Sequence, residues 1–283
     1  MAVKSVFKRV FSIKTLSRIG LYLWCAFSIF VFCWIILSSL KTNREFFANI
    51  WGAASKQQFG NYLKVLKNYR LGQNFLNSIL VVISAVFLLL VACAPAAYVL
   101  SRIRFRGRTF MSRFFIMGMG VPYQLLLVPL FFMMVTIGLT NTLSGLVLLY
   151  VALSIPFTVF IMLGFFKTLP HELEEAAMID GSGPIETFFR IMLPLGMPAL
   201  VTAGIFNFIF LWNEFLLALT FVSDTSKYTL SVGIYSLQGS MNYTGDCVAL
   251  FAGFMIVALP TLVVFMIMSR RVIEGLTIGA VKE

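Results

Sequence analysis

The side chains most able to do chemistry lie in one polar stretch, EAAMIDGSGPIETFFRIMLP at residues 175–194, between two long apolar runs. Gly181 is predicted to end a first helix in the left-handed conformation, and Gly183-Pro184 to begin a second. Carboxylates open the first helix, where the positive end of its dipole stabilises them: Glu172, Glu174 and Glu175. Such acids suit ion pairing with a partner, although residue chemistry alone also fits an acidic surface loop.

The two helices and the glycine turn between them form an elbow, and its first helix is predicted to present a narrow face of small side chains. Pro170 suits its opening turn, because proline lacks an N–H that would be unpaired there. Positions i, i+3, i+4 and i+7 share one side of a helix, and they hold Leu173, Ala176, Ala177 and Asp180. We expect small side chains there to permit close approach.

Catalytic patterns are missing from the sequence. No G-x-x-x-x-G-K-[ST] motif occurs, so the chain carries no phosphate cradle of that type. The single histidine, His171, is surrounded by carboxylates. The four cysteines are typical of structural thiols rather than of a disulfide or metal site. We expect no metal, no cofactor and no enzymatic activity, so any ATP hydrolysis would occur on another chain.

Composition places the chain in a membrane. Hydrophobic residues make up 60% of its 283 residues and charged residues 12%, with 30 phenylalanines, whereas soluble domains carry about 25% charge. The net charge of +11 does not indicate nucleic-acid binding, because the basic residues cluster at the ends of apolar runs.

Six stretches reach the ~20 apolar residues that a membrane helix needs. They are residues 20–40, 75–100, 114–137, 143–166, 198–222 and 249–269. Several contain proline, and we expect kinks rather than breaks because neighbouring helices can satisfy the freed backbone groups. The first stretch is too long for a typical signal peptide and is interpreted as a retained anchor.

Most of the 22 Lys and Arg residues fall on the side that holds the N-terminus, which the positive-inside rule makes cytoplasmic. Segment 41–70 is the exception. Both ends, and the elbow after the fourth span, are therefore predicted to face the cytoplasm. The chain divides into a basic amphipathic leader (1–19), a six-span domain (20–269) with the elbow at 167–197, and a cytoplasmic tail (270–283).

Glu214 is the acidic residue inside a predicted span, where insertion costs at least ~2.5 kcal/mol. Asn207 lies two turns away on the same face, and Asn213 is adjacent. With Trp212, which could stack on a sugar ring, these residues could line a solute path. An interhelical hydrogen-bond clamp between this chain and a partner membrane chain is an equal alternative.

The order of residues in the elbow is also a family mark. Glu175-Ala176-Ala177, three residues, Gly181, nine residues and Ile191-x-Leu193-Pro194 resemble the EAA loop of bacterial ABC importer permeases. Asp180 before the glycine resembles the carbohydrate importers, specifically the second permease of the maltose-transporter type. Further similar segments follow in the same order: Asn77-Ser78, Ala97-Tyr98, Arg106-Gly107-Arg108, Trp212-Asn213-Glu214 and Gly275-Leu276-Thr277 through Gly279-Ala280-Val281-Lys282.

The resemblance implies an all-α integral membrane protein of the type I ABC importer permease fold, with six transmembrane helices and a cytoplasmic helix-turn-helix coupling loop. Coupling to an ATPase would involve Glu174, Glu175, Ala176, Ala177, Asp180, Gly181, Ile191, Leu193 and Pro194. A loop over 223–246 would be plain connection, or would contact a binding protein through Gln238, Asn242, Tyr243 and Gly245. The tail would be a frayed terminus, or would contact the ATPase through Gly275, Leu276, Gly279 and Lys282.

The resemblance thus predicts a pore subunit of the bacterial inner membrane that imports a sugar or oligosaccharide by alternating access. Its partners would be a second permease, two ATP-binding cassette ATPases, an extracytoplasmic binding protein and the lipid bilayer. A non-carbohydrate solute is one alternative. An ion-coupled secondary transporter is another alternative. It is disfavoured because the sequence has no convincing internal repeat and only one acidic residue inside a predicted span.

Overall fold

The structure is a computed structural model that describes the backbone of residues 2–280 and the side chains of residues 15–241 and 243–267. Within this part of the chain all regular elements are helical. The helices are α1 Ala2–Ser39, α2 Asn43–Ala48, α3 Gly60–Asn68, α4 Leu71–Arg102, α5 Arg108–Gly118, α6 Leu127–Thr136, α7 Leu143–Phe166, α8 Glu172–Ile179, α9 Pro184–Thr187, α10 Leu193–Leu195, α11 Met197–Trp212, α12 Leu216–Phe221, α13 Leu230–Thr244 and α14 Cys247–Ala280.

Four segments are long and apolar enough to cross a membrane as single helices: Thr15–Ser39, Leu71–Arg102, Leu143–Phe166 and Cys247–Ile267. Two further pairs of helices pass the same test but are sharply bent, which gives up to six spans. Pro95, Pro156 and Pro260 lie inside unbroken helices, as predicted. Residues 2–19 of the predicted leader are helical and continue into the first span within α1.

The expectation of kinks rather than breaks is wrong for the span predicted at 114–137. α5 ends at Gly118, and the chain turns by 91° before the helical run Tyr123–Thr136. Pro122 is extended, with ψ of 117°, and a residue that precedes proline is itself disfavoured in the helical conformation. Glycines at 118 and 120 add conformational freedom at the same place, so the helix stops.

The span predicted at 198–222 is also interrupted. α11 ends at Trp212, and the short helix α12 begins at Leu216. At its other end α11 is bent by 68° from the run Pro184–Leu195. The bend falls near Gly196, where an added Cβ would stand 2.8 Å from the ring of Phe166. Glycine therefore permits a close approach at this bend.

The chain forms two compact units, Met1–Tyr69 with Ser236–Ile256 and Arg70–Tyr235 with Val257–Glu283. In the second unit α4 packs along α7, and α11 packs on both. α4 buries side chains of small and medium size on this side, such as Ala85, Leu89 and Ala97. This bundle supports the elbow.

In the first unit an aromatic cluster joins the end of α1 to α2. The indole of Trp34 packs edge-on against Phe251 and lies 6.5 Å from the ring of Phe46. Asp246 accepts hydrogen bonds from Asn43 Nδ2 (2.8 Å) and Lys64 Nζ (2.5 Å). Short helices that could not stand alone are thus held by ring packing and one ion pair.

The predicted loop over 223–246 is largely a helix instead. Ser78 Oγ accepts a hydrogen bond from the backbone N–H of Leu230 (2.7 Å) at the first turn of α13. Asn77 Nδ2 donates to the carbonyls of Ser226 and Tyr228. Polar side chains of α4 therefore satisfy the backbone groups at the start of α13, a long-range effect that the Ser-, Thr- and Gly-rich composition of the segment hides.

Candidate functional site

The first helix of the elbow, α8, begins at Glu172, so Pro170 lies just ahead of it rather than in its opening turn. Gly181 takes a φ of +83°, as predicted. Its N–H donates to the carbonyl of Met178 (3.1 Å), and the N–H of Ser182 donates to that of Ala177 (2.9 Å). This pair of bonds is the Schellman arrangement, which satisfies the last carbonyls of a helix and turns the chain.

The second half of the elbow begins with Pro184 in the first turn of α9, as predicted. A π-helical turn over Phe188–Met192 follows and leads into α10. Turns of this kind are rare in proteins, and those that occur are often found at functional sites. Glu186 and Arg190 form an ion pair of 2.5 Å on the exposed side.

Arg102, the last residue of α4, anchors the entry of the elbow. Its side chain is only 2% exposed, and Nη2 donates to the carbonyl of Leu169. Nη1 lies 3.0 Å from Nδ1 of His171 and 3.7 Å from Oε2 of Glu174. Glu174 is therefore held inside the chain, and its carboxylate compensates a buried cation.

Tyr98 lies one helical turn before Arg102 and contacts aromatic residues on either side of α8. Its ring centroid is 6.0 Å from that of Phe166, before α8, and 5.1 Å from that of Phe188, after it. Residues four apart share one side of a helix. A single side of α4 thus holds the entry and the exit of the elbow.

The outer surface of the elbow is acidic and apolar together. Glu175, Ala176 and Asp180 are exposed. Four large apolar side chains beside them are also exposed: Met178, Ile179, Ile185 and Phe189. Exposed apolar side chains grouped beside charges mark interaction sites, so this elbow surface is suited to a protein partner.

Other predicted coupling residues face inward or sit at the margin. Ala177 is buried and packs within the chain rather than on the elbow surface. Ile191 and Leu193 are half-buried, while Pro194 is exposed. The elbow surface therefore consists mainly of residues on the outer side of α8 and of the turn that follows it.

Glu214 is buried and has partners within the chain. Oε1 accepts a hydrogen bond from the N–H of Leu217 (2.7 Å), and Oε2 accepts from the N–H of Ala218 (3.1 Å) and the hydroxyl of Tyr150 (2.9 Å). The carboxylate thus caps the N-terminus of α12, where the helix dipole favours a negative charge. This clamp lies within one chain.

Two more of the predicted path residues are buried. Asn207 donates to Thr158 Oγ1 (2.9 Å) and so joins α11 to α7. The indole of Trp212 stacks on Phe208 and donates to the carbonyl of Val257 (3.1 Å), so its ring faces protein and offers no free face to a sugar. Asn213 is exposed and is the one of the four open to a solute.

The predicted contacts to a binding protein lie in and after α13. Gln238 and Tyr243 are exposed, the latter by 93%, and Gly245 turns the chain with a φ of +64°. The side chain of Asn242 lies outside the described residues. Of the tail, Gly275, Leu276 and Gly279 belong to the helical backbone of α14, with side chains outside the described part, and Lys282 lies beyond it.

Sequence reasoning missed the anchoring role of Arg102 and Tyr98. In the sequence, Arg102 was counted only among the basic residues that indicate orientation. Tyr98 was noted only in the pair Ala97-Tyr98, which resembles the permease family. Their spacing of four residues at the end of an apolar helix was an available signal. Their partners at 166–188 could not be known without the fold.

Taken together, an all-helical membrane chain with two bent spans and an exposed helix-turn-helix elbow defines the type I permease fold of ABC importers. The chain belongs to the family of binding-protein-dependent transport system inner membrane components, which residues 91–274 match. It is thus a transport permease of the inner membrane.

Related proteins match over most of the chain. The diacetylchitobiose uptake system permease protein NgcG of Streptomyces coelicolor is 38% identical over 93% of this chain and 87% of its own. The trehalose/maltose transport system permease protein MalG of Thermococcus litoralis is 33% identical over 99% of each. A bacterial ABC transporter involved in the import of the polysaccharide alginate contains a chain of the same fold, with a TM-score of 0.76, 22% identity and coverage of 93% and 96%.

Proposed function

We propose that this chain is a pore subunit of an ATP-driven importer that carries a sugar or oligosaccharide into the cell. Its relatives named for diacetylchitobiose, trehalose and maltose support a carbohydrate. The observation that carries the proposal is the elbow surface, which combines carboxylates and apolar side chains on a chain without a phosphate-binding motif. Energy for transport would enter through that surface from a separate ATPase.

In this proposal the elbow docks in a cleft of an ATP-binding cassette subunit. Glu175 pairs with a basic residue of that subunit, and Ala176 permits close approach of the two backbones. Ile179 and Ile185, exposed by 86% and 76%, fill apolar recesses of the cleft. The remaining exposed apolar residues surround this centre, as in an interface with a buried core and a polar rim.

Transport would proceed by alternating access. Closure of two ATPase subunits moves the elbows of two permeases and turns the central cavity outward, where a docked binding protein releases its sugar. A ligand shifts a two-state equilibrium only by its differential affinity for the two states. ATP and the binding protein must therefore both favour the outward state.

We further propose the arrangement of partners. The second permease is a different chain, both termini and the elbow face the cytoplasm, and the tail from Gly275 reaches the ATPase pair. Gln238, Tyr243 and Gly245 face the binding protein. The exposure of Gln238 and Tyr243 supports this contact, and Asn213 is the path residue that the solute reaches.

Charge reversal at the elbow tests the proposal. We expect Glu175→Lys to leave the chain in the membrane and to abolish ATP-driven uptake, because a lysine would face the basic residue of the cleft. Glu172→Lys is the matched control, since Glu172 is exposed on the same helix and is not among the residues proposed to contact the ATPase. Uptake and substrate-stimulated ATPase are measured in the assembled complex.

Gly181→Asp provides a second test through geometry. A Cβ at this position meets open space, so the effect comes from the left-handed backbone, which glycine adopts far more readily than a residue with a Cβ. We expect loss of uptake with normal amounts of protein in the membrane. Normal substrate-stimulated ATPase in both this variant and Glu175→Lys would refute docking.

A further inference from the structure

The helical run that joins α9 to α10 contains one wide turn, over Phe188–Met192. The N–H of Leu193 donates to the carbonyl of Phe188, five residues back, which is the spacing of a π-helix. The N–H of Gly196 donates to the carbonyl of Met192, four residues back, at 2.8 Å. The run therefore returns to α-helical spacing after a single turn that holds one extra residue.

Pro194 supplies a local cause for this wide turn. Inside an α-helix, the ring of a proline clashes with the carbonyl four residues back, and the proline has no N–H to donate to it. For Pro194 that carbonyl belongs to Arg190, within the wide turn. Pro194 is exposed, so its effect comes from the backbone rather than from packing of its ring. We propose that Pro194 forces the wide turn and thereby sets the register of the run that leads from the elbow to α11.

The extra residue decides which side chain faces the bundle. Residues seven apart lie about 20° from each other around an α-helix, so an unbroken α-helix would turn Leu195 to the side of the buried Phe188. Leu195 is instead 42% exposed, and Gly196, the next residue, is buried. The observed burial is therefore shifted by one residue, as one extra residue in the wide turn requires.

Glycine is suited to the place that this shift assigns to it. A Cβ added at Gly196 would stand 2.8 Å from the ring of Phe166, which is fully buried and packs edge-on against Tyr98. Tyr98 in turn contacts Phe188. A leucine turned toward these rings would overpack them, and overpacking displaces side chains and backbone. The wide turn thus lets Phe188 and Gly196 face the same rings together.

The consequence for transport rests on the proposed function, in which movement of the elbow reaches the membrane helices. The run leads from the elbow into α11, and α11 packs on α4 and α7. Without the wide turn, Phe188 and α11 could not both keep their present contacts, so the elbow would lie at a changed angle to the bundle. Pro194 is therefore a positioning residue that acts through the backbone of this run.

A distance within the run tests the register. Ile185 and Leu195 are both exposed, and they lie about 180° apart around the helix with one extra residue but about 80° apart without it. Nitroxide labels are placed on Ile185→Cys and Leu195→Cys in the full chain without its native cysteines, in nanodiscs. We expect Pro194→Ala to shorten the distance between the labels by several ångströms, measured by double electron–electron resonance. Pro170→Ala is the matched control and should leave the distance unchanged, because Pro170 is exposed and lies ahead of α8.

A compensating deletion tests the positioning role. We expect Pro194→Ala to reduce ATP-driven uptake severalfold at an unchanged amount of protein in the membrane. Deletion of Arg190 from this variant removes one residue of the former wide turn and returns Phe188 and Gly196 to one side of an unbroken α-helix. Uptake should then recover, whereas a lost contact between Pro194 and the ATPase would not be restored by the deletion. Arg190 suits this purpose because its ion pair with Glu186 lies on the exposed side.

Two outcomes overturn the inference. An unchanged distance in Pro194→Ala would assign the wide turn to packing of its phenylalanines instead of to Pro194. A shortened distance without recovery of uptake on deletion of Arg190 would contradict the positioning role. If Pro194→Ala does not accumulate, accumulation of the variant that also lacks Arg190 supports the inference, and its absence contradicts it. The distance requires neither nucleotide nor solute, so the register is decided even where Glu175→Lys shows that the elbow does not dock.

Discussion

At the residue scale, Arg102 is the group on which the position of the elbow depends. Its buried guanidinium reaches the carbonyl of Leu169, the ring of His171 and the carboxylate of Glu174. A buried ion pair adds little stability compared with apolar packing, but removal of one partner leaves a costly lone charge. The cluster therefore fixes geometry, since α8 has no other charged tie to α4 in the described part of the chain.

Replacing Arg102 by Gln should uncouple the importer. Glu174 would remain half-buried without its cation, at a cost of up to about 3 kcal/mol, and the elbow would lose its tie to α4. We expect uptake to fall by a larger factor than ATPase activity, both measured in the reconstituted complex. Arg104→Gln is the control, because Arg104 is exposed. Parallel loss of both activities would indicate failed assembly instead.

Replacing Glu214 by Gln should lower stability and leave uptake largely intact. Gln keeps one acceptor for the start of α12, but the charge-assisted bonds to backbone N–H groups, worth roughly 1.5–3 kcal/mol, weaken. We expect a lower melting temperature for the purified chain, and a still lower one for Glu214→Ala. Uptake abolished in Glu214→Gln at an unchanged melting temperature would instead show a direct role in the solute path.

At the scale of elements, the ion pair between Lys64 and Asp246 ties α3 to the start of α14. Burial raises the pKa of Asp246, but hydrogen bonds from Lys64 and Asn43 outweigh it and hold that pKa below its usual value of 3.8. The bond to Asp246 likewise raises the pKa of Lys64. Stability from Asp246 is present above pH 3.8 and is lost as the pH falls through its lowered folded pKa.

This ion pair predicts a pH dependence. Asp246→Asn should lower the melting temperature at neutral pH, and its difference from the native protein should shrink as the pH falls below 3.8, where the native carboxylate also becomes neutral. Lys67→Gln is the control, because Lys67 is exposed on α3. A difference that stays constant through the acid range would exclude Asp246 as the titrating group.

The elements themselves were predictable to different degrees. The span at 143–166 coincides with α7, because a continuous apolar run allows one long helix. The break before Tyr123 and the gap after Trp212 were missed, since hydropathy does not register backbone geometry. The helix at 230–244 was missed because its N-terminal partner, Ser78, is 152 residues away.

The residues of the candidate site were also predictable to different degrees. The turn at Gly181 followed from local chemistry, because glycine is suited to the left-handed end of a helix. Trp212 did not, because only the tertiary packing on Phe208 and Phe75 shows that its ring is enclosed. Local rules thus predict the turn of the elbow, whereas tertiary packing decides which of the predicted site residues remain exposed.

At the scale of the whole molecule, the distribution of Lys and Arg predicts which side of the membrane the elbow faces, and cysteine labelling can check this. In a variant without its four native cysteines, Ser182→Cys should react with a membrane-impermeant thiol reagent only in inside-out vesicles. Tyr243→Cys should react from the opposite side in right-side-out vesicles. Labelling of Ser182→Cys from outside would place the elbow away from any cytoplasmic ATPase and would contradict the proposed mechanism.

The pairing of Tyr98 and Arg102 on one side of α4 has a mechanical consequence. Successive residues of a helix are about 100° apart, so axial rotation of α4 would carry both side chains sideways along an arc. A sideways displacement of the elbow would then be converted into axial rotation of α4. One residue inserted between the two positions would turn them about 100° out of phase, so that both side chains could no longer contact the elbow together.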